Sequence, residues 1–141
     1  MRVVIDTNVL ISAIFWIGKP KQILNKVRRA EILFLTSGIL LEELREVLIE
    51  KEKPFNLSEE EAERIIVEMR ELAEIIQTHT QEAVCSDEKD NRVLECAIDG
   101  GAEFIVTGDV HLLKLNPFKG IRVTTVTDFL KCCEEAPSID R

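Results

Sequence analysis

In Arg2-Val3-Val4-Ile5-Asp6-Thr7-Asn8 a β-branched run stops at an acid. Val3, Val4 and Ile5 suit a buried strand. The apolar residues after it, Val9-Leu10-Ile11-Ser12-Ala13-Ile14, continue as a helix into a turn at Gly18-Lys19-Pro20. Pro20 suits the first position of a second helix, running to about Ala30. Far along the chain, Phe104-Ile105-Val106-Thr107-Gly108-Asp109 has the same grammar: a strand, then an acid.

Between these two stretches strands and helices alternate. A strand is expected over Glu31 to Ser37, and a helix over Ile39 to Lys51 with Leu40, Leu41, Leu44, Val47 and Leu48 on one face; Pro54 stops any further helical turn. Ser58-Glu59-Glu60-Glu61 is a capping box. It starts a long helix to about Gln77, with Ile65, Ile66, Met69, Leu72, Ala73 and Ile76 inward. After a polar loop, a helix opening at Asp90 ends at Gly100-Gly101. Beyond the strand 104–107 come a short turn or helix at His111 to Leu115, a strand from Ile121 to Val126, and a last helix of about eight residues capped by Thr127. The expected fold is a three-layer α/β/α sandwich around a mostly parallel sheet. One domain spans 1–141, with its core over about 1–131 and a short tail at 132–141.

Composition narrows the chemistry. The chain has 141 residues, 45% of them hydrophobic, as a folded domain requires. No apolar run is long enough to cross a bilayer and no leader is read after Met1, so a cytoplasmic protein is expected. The 18 basic and 26 acidic residues leave a net charge of −8, which argues against binding nucleic acid by blanketing phosphates with cations. Chemistry on nucleic acid is not excluded. Cys85, Cys96, Cys132 and Cys133 have neither metal-ligand spacing nor the density of a disulfide scaffold.

Only 7 of the 26 acids are Asp, and two of those stand where parallel sheets place their sites, just outside the carboxyl ends of strands. These are Asp6 and Asp109. Each could simply cap the turn after it; together they point to a site. Helix projection adds two more. Glu43 lies at the border of its helix's apolar stripe, whereas Glu42 points away into solvent. Asp90 falls on the side of Val93, Leu94 and Ala97, while Asn91, Glu95 and Asp99 face away. For Asp90 the plainer reading is a favourable charge at a helix N-terminus, and for Asp87, just outside that helix, it is a cap. Four gathered carboxylates would repel one another unless a cation were shared. Oxygen-only ligands suit Mg²⁺ or Mn²⁺, and the chemistry implied is metal-assisted attack of water on a phosphodiester. The ion would also supply the positive charge that the side chains lack.

In this order and spacing, Asp6-Thr7-Asn8 after the first strand, Glu43-Leu44 on an amphipathic helix, Asp90 opening a small-residue helix, and Val106-Thr107-Gly108-Asp109 resemble a PIN domain, over about residues 1–131. The likeness is to the stand-alone prokaryotic members grouped with VapC-type toxins. It implies a Mg²⁺- or Mn²⁺-dependent endoribonuclease acting on RNA, with Asp6, Glu43, Asp90 and Asp109 as catalytic and metal-binding acids and Asn8, Thr107 and Thr7 in support. A cognate antitoxin and a homodimer are implied as well. Family members often carry further acids before the Asp90 helix, where this chain has Asp87-Glu88-Lys89-Asp90-Asn91, so Asp87 competes with Asp90 for the ligand role.

Rival classes fit less well. A phosphoacceptor signalling domain needs adjacent acids after its first strand, and here Asp6 is alone. An aspartyl phosphatase needs a second Asp two residues after Asp6, where Asn8 stands. A silent PIN fold that only binds RNA or a partner remains the main alternative. His111 lies close to the acids in sequence, as a substrate contact or as a plain turn residue. Lys19, Lys21, Arg28, Arg29, Lys114 and Lys119 are the cations expected to guide RNA. Ile14, Phe15, Trp16 and Ile17 either form a dimer contact or close the core.

Overall fold

In the computed structural model, which describes residues 1–50 and 55–135, five strands form one sheet in the order β3-β2-β1-β4-β5, and every pairing between its described strands is parallel. The strands are β1 (Arg2–Ile5), β2 (Leu33–Ser37), β3 (Glu74–Ile76), β4 (Phe104–Val106) and β5 (Arg122–Thr124). Helices α1 (Thr7–Phe15), α2 (Lys19–Arg28), α3 (Gly38–Ile49), α4 (Glu59–Leu72), α5 (Glu88–Asp99), α6 (Val110–Leu113) and α7 (Val126–Glu135) make the crossovers.

The period of two along β1 divides the core. Val3 and Ile5 pack with Leu10, Ile23, Leu44, Met69 and Phe129 from α1, α2, α3, α4 and α7. Val4, between them, packs with Val93, Leu94 and Leu112 from α5 and α6. Both faces are covered, so β1 is apolar after Arg2, and Val3 and Val4 are completely buried. This is the expected α/β/α sandwich, and its parallel sheet leaves one rim where all the strands end in their carboxyl termini. The chain order places β1 between β2 and β4. The strand order therefore reverses beside β1, where α/β sheets open a crevice.

The helix expected to open at Asp90 begins at Glu88, the strands expected over Glu31–Ser37 and Ile121–Val126 are Leu33–Ser37 and Arg122–Thr124, and two larger departures stand elsewhere. The helix expected to run to about Gln77 stops at Leu72, and Glu74–Ile76 is instead edge strand β3, paired with β2 through Thr36↔Ile75 and Ser37↔Ile76. Ile75 and Ile76 are β-branched, and tertiary pairing overrides the helical period of the preceding residues. Ile76 is still buried, but in the other half of the core. The last helix begins at Val126, and its first turn is capped by Thr125, whose Oγ1 accepts from the Asp128 amide at 3.2 Å, rather than by Thr127. Pro54, the Lys51 end of the third expected helix, and residues 136–141 of the expected tail lie outside the described residues. No helix among the described residues is long and apolar enough to cross a membrane.

Candidate functional site

Asp6 is the first residue past β1, still tied to the sheet by its amide, which donates to the Val106 carbonyl at 3.0 Å. Its carboxylate is used twice. Oδ1 accepts from the Thr7 amide at 2.8 Å, which makes Asp6 the N-cap of α1, and Oδ2 accepts from the Thr107 hydroxyl at 2.7 Å. Thr107, completely buried at the end of β4, accepts in turn from the Asp109 amide at 3.0 Å. One hydroxyl thus connects the two strand ends and fixes Asp109 relative to Asp6. Asp109 caps α6, with Oδ1 accepting from the His111 amide at 2.8 Å. The plainer reading of both acids as caps is therefore correct without displacing the other, because capping consumes one face of a carboxylate and leaves lone pairs outward.

Asp90, in the first turn of α5, is buried at 7% exposure, as its inward projection requires. Its carboxyl is pushed up to about 6, chiefly by burial, then by the charges of Asp109, Asp87 and Asp6, with a hydrogen bond to the Asp109 carboxyl adding to the rise. Burial also raises Asp6, assisted by the charges of Asp109 and Asp87 and opposed by the bonds from Thr107 and Thr7. Glu43 is raised by burial first; Lys89 and the Thr7 side chain oppose this, and Asp6 and Asp87 add to it. Glu42, its neighbour, is exposed as expected.

Asp6, Asp90 and Asp109 therefore lie within electrostatic reach of one another on the carboxyl rim at β1 and β4, and Glu43 lies within reach of Asp6. Asp87 joins them. It caps α5 by accepting from the Lys89 amide at 2.9 Å, and its charge bears on Asp6, Glu43 and Asp90. Asn8, exposed, lines a cleft of ≈ 360 Å³ with Asp6, Asp109, Ser12 and Pro20, while Thr7 is buried beneath. Ser12 had no signal in the sequence beyond its place one helical turn past Asn8.

The expectation that Asn91 and Glu95 face away from the core is overturned: both are 3% exposed. Segment 77–87 lies across that flank of α5. Asn91 accepts from the Cys85 amide at 2.9 Å and donates to its carbonyl at 2.8 Å; Glu95 accepts from the Glu82 amide, and Asp99 from the amides of His79 and Thr80. A helix wheel places residues relative to their own helix and says nothing of a loop that covers the second side.

The nominated cations divide. Arg28 and Arg29 end α2 at the far rim and pair with Glu68 and Glu31. Lys119 pairs with Glu82 at 2.7 Å. Lys19 donates to the Thr127 hydroxyl and Lys21 to the Ile14 carbonyl, flanking Pro20 of the cleft. Lys114 is exposed on the turn after α6. The apolar run splits likewise: Phe15 is half-buried and stacked on Phe55 at 4.4 Å between centroids, leaving Trp16 and Ile17 outward.

As a cation site, the cluster fits in kind. Its donors are hard carboxylate oxygens, and Asp90, Asp6 and Glu43 are all raised, by burial first and by neighbouring carboxylates after it. Among the described residues no three His, Cys, Asp or Glu side chains stand as a finished ligand group.

An all-parallel α/β sandwich with carboxylates gathered at the reversal of its strand order is a protein built around a polyacidic rim. Comparison gives it a family: residues 2–111 match the PIN domain, and the chain belongs to the PIN-domain family. It is 34% identical over 117 residues to the uncharacterized protein MJ1680 of Methanocaldococcus jannaschii, covering 82% of this chain and 75% of that one. Its fold is similar to VapBC2 from Rickettsia felis, crystallised bound to a DNA fragment from their promoter, with a TM-score of 0.62 at 18% identity over 89% of this chain and 98% of that one. It is also similar to VapBC-1 from nontypeable Haemophilus influenzae, with a TM-score of 0.60 at 17% identity over 90% and 99%.

Proposed function

We propose that this PIN-domain protein is a cytoplasmic, single-domain Mg²⁺- or Mn²⁺-dependent endoribonuclease, with Asp6, Glu43, Asp90 and Asp109 as its working acids. The observation that carries this reading is the raised Asp90 among Asp6, Asp87 and Asp109. A buried carboxyl set among like charges is costly for a fold to keep. It is retained where a cation is to be held.

A divalent ion bound there would supply hydroxide at neutral pH and offset charge developing on the phosphodiester. The chain's residues do the rest. Thr107 holds Asp6 and Asp109 in fixed relation through its hydroxyl. Asn8 and Ser12 present polar groups in the cleft beside them. Asp87 is an additional acid at the rim, and its capping bond to Lys89 keeps it there. Lys19 and Lys21 flank the cleft as cations for the RNA backbone.

The similarity to two VapBC proteins supports a role as the toxin of a toxin–antitoxin pair, with an antitoxin protein and a second copy of the chain as partners. A PIN fold that binds RNA or a partner without turnover is favoured by one observation, the lack of a finished three-ligand group among the described residues. Cleavage decides between them. Incubation with single-stranded or loop RNA should give products with Mg²⁺ or Mn²⁺, none with EDTA, and none when Ca²⁺ replaces them. Metal-independent products, or no products with any ion, would overturn the nuclease reading.

A further inference from the structure

A second cleft opens on the same carboxyl rim, between the ends of β2 and β3. Its volume is ≈ 320 Å³, near the small end of ligand-binding clefts. Ile39 and Ile76 line it with apolar surface, the exposed Gln77 and Thr78 with polar groups, and Arg92 with the buried Glu95 gives it a charged floor. Ile39 and Arg92 also line an adjoining cleft that contains Glu43 and Lys89. The opening is thus continuous, along one rim, with the acidic cluster.

The charges decide what it can hold. Glu95 is 3% exposed, and both its oxygens lie 3.0 Å from Arg92 Nη1, with Oε2 also accepting from the Glu82 amide. Arg92 reaches Glu88 as well, at 3.4 Å. A phosphate would find no unpaired cation on this floor and would meet a buried carboxylate. A metal ion would find only one carboxylate, already satisfied. What fits is neutral and flat, with apolar faces and hydrogen-bonding edges. The guanidinium held in place by Glu95 offers a plane, Ile39 at 52% exposure an apolar contact, and the Gln77 amide both donors and an acceptor.

We infer that this cleft is a nucleobase subsite, taking one unpaired base of an RNA strand whose backbone passes the acidic cluster. The inference rests on the ribonuclease reading for its ligand class. Unpaired bases are recognised in this way, stacked on arginine planes and bonded along their edges. The subsite explains why an acidic protein needs few free cations: part of its hold on RNA comes from a base rather than from phosphates. It also predicts that cleavage position is set by an unpaired base at a constant offset from the cut.

The test uses the full chain as Asp6→Asn, so that RNA is bound without turnover, and a fluorescent single-stranded octaribonucleotide carrying one abasic position at a time. Fluorescence anisotropy in Ca²⁺ buffer reads the affinity. One abasic position should weaken binding about tenfold, within the range of one stacked base. The same position should have no effect in protein that also carries Ile39→Ala and Gln77→Ala, two exposed sites whose change leaves the fold intact. Equal losses at every abasic position, or the same single loss in the triple variant, would overturn the subsite. So would absence of RNA binding, or loss of partner-protein binding alone in the triple variant. The Mg²⁺-dependent cleavage of wild-type protein is scored separately, so the subsite can fail while the nuclease reading stands.

Discussion

At the amino end of the sheet, Arg2 donates to Glu74 at 3.1 and 3.2 Å and to the Gly100 carbonyl at 2.9 and 2.7 Å, while Glu103 accepts from the Arg2 amide. Arg29, Lys26 and Glu31 close a similar set beside it. At the carboxyl end of the sheet Asp6, Asp90, Asp109 and Asp87 bear on one another through their charges, Glu43 lies within reach of Asp6 and Asp87, and Lys89 opposes the rise at Glu43. The strands impose no such difference. Opposite charges meet at one end to fasten edges together, and like charges are held together at the other by caps and one buried hydroxyl. A fold that stabilises one rim and strains the other marks the second as its working surface.

The sharpest way to break this contrast is Asp6→Asn. The amide keeps the shape and, through its one oxygen, the bond from the Thr7 amide, while its NH2 in place of Oδ2 can only donate to the Thr107 hydroxyl; the charge is removed. RNA cleavage should fall by at least about 100-fold, as loss of several kcal/mol of charge stabilisation requires. The melting temperature should hold or rise, because a like charge has been deleted. Cleavage at wild-type rate would mean that the contrast between the rims has no functional content.

At the fastened end the expected effect is on stability alone. A Cβ on Gly100 would lie 2.9 Å from the Cys96 carbonyl oxygen and 3.0–3.1 Å from the Ile76 side chain. Backbone cannot yield as a flexible side chain can, so Gly100→Ala should destabilise by roughly 1–3 kcal/mol in urea unfolding. Residual folded protein should cleave normally.

Proton linkage sharpens the comparison further. The Asp90 carboxyl sits at about 6 in the fold against an ordinary 3.8. The fold therefore holds this proton more tightly than the unfolded chain does. The resulting stability is fully present below the ordinary value and is lost as pH rises through about 6. Without divalent ions, Asp90→Asn should raise the melting temperature at pH 7.5 and do so less at pH 5. Mg²⁺ or Mn²⁺ takes over the proton's role, so its stabilising effect on wild type should be larger at pH 7.5 than at pH 5. A melting temperature indifferent to Asp90→Asn at both pH values would remove the claim that this rim is strained.

How much of this is legible in the sequence depends on the range of each interaction. β1 and β4 are short, almost wholly apolar and each followed by an Asp, Asp6 directly and Asp109 three residues on, so their own residues announce the strands and nominate the acids. Helix projection puts Asp90 on the inward side of its helix and Glu43 at the border of an apolar stripe, and in the fold Asp90 is buried and Glu43 half-buried. It does not find β3. The three residues of that strand continue the helical spacing of α4, and only pairing with Thr36 and Ser37 of β2, some forty residues earlier, makes them a strand. The buried sides of Asn91 and Glu95 escape for the same reason, since segment 77–87 contacts α5 through backbone amides that carry no residue-type signature. Thr107 is expected in support, but its bridging of two acids depends on the 2.7 and 3.0 Å geometry at the strand ends.

The smallest effect belongs to the fastened rim's exposed ion pair. Arg2 and Glu74 make two hydrogen bonds, yet their side chains are 36% and 45% exposed, so water and salt screen the pair. Arg2 also spends two bonds on the Gly100 carbonyl, which Glu74 does not touch. Glu74→Gln should therefore cost no more than about 1 kcal/mol in low salt and nothing measurable in 0.5 M NaCl. It should leave both cleavage and the response to Mg²⁺ unchanged, since β3 lies at the sheet edge, two strands from Asp6. Arg2→Ala removes the Gly100 contacts as well and should cost more, with little dependence on salt. If Glu74→Gln instead altered the metal response, charge at the two rims would be coupled through the sheet, and the division of labour between them would have to be abandoned.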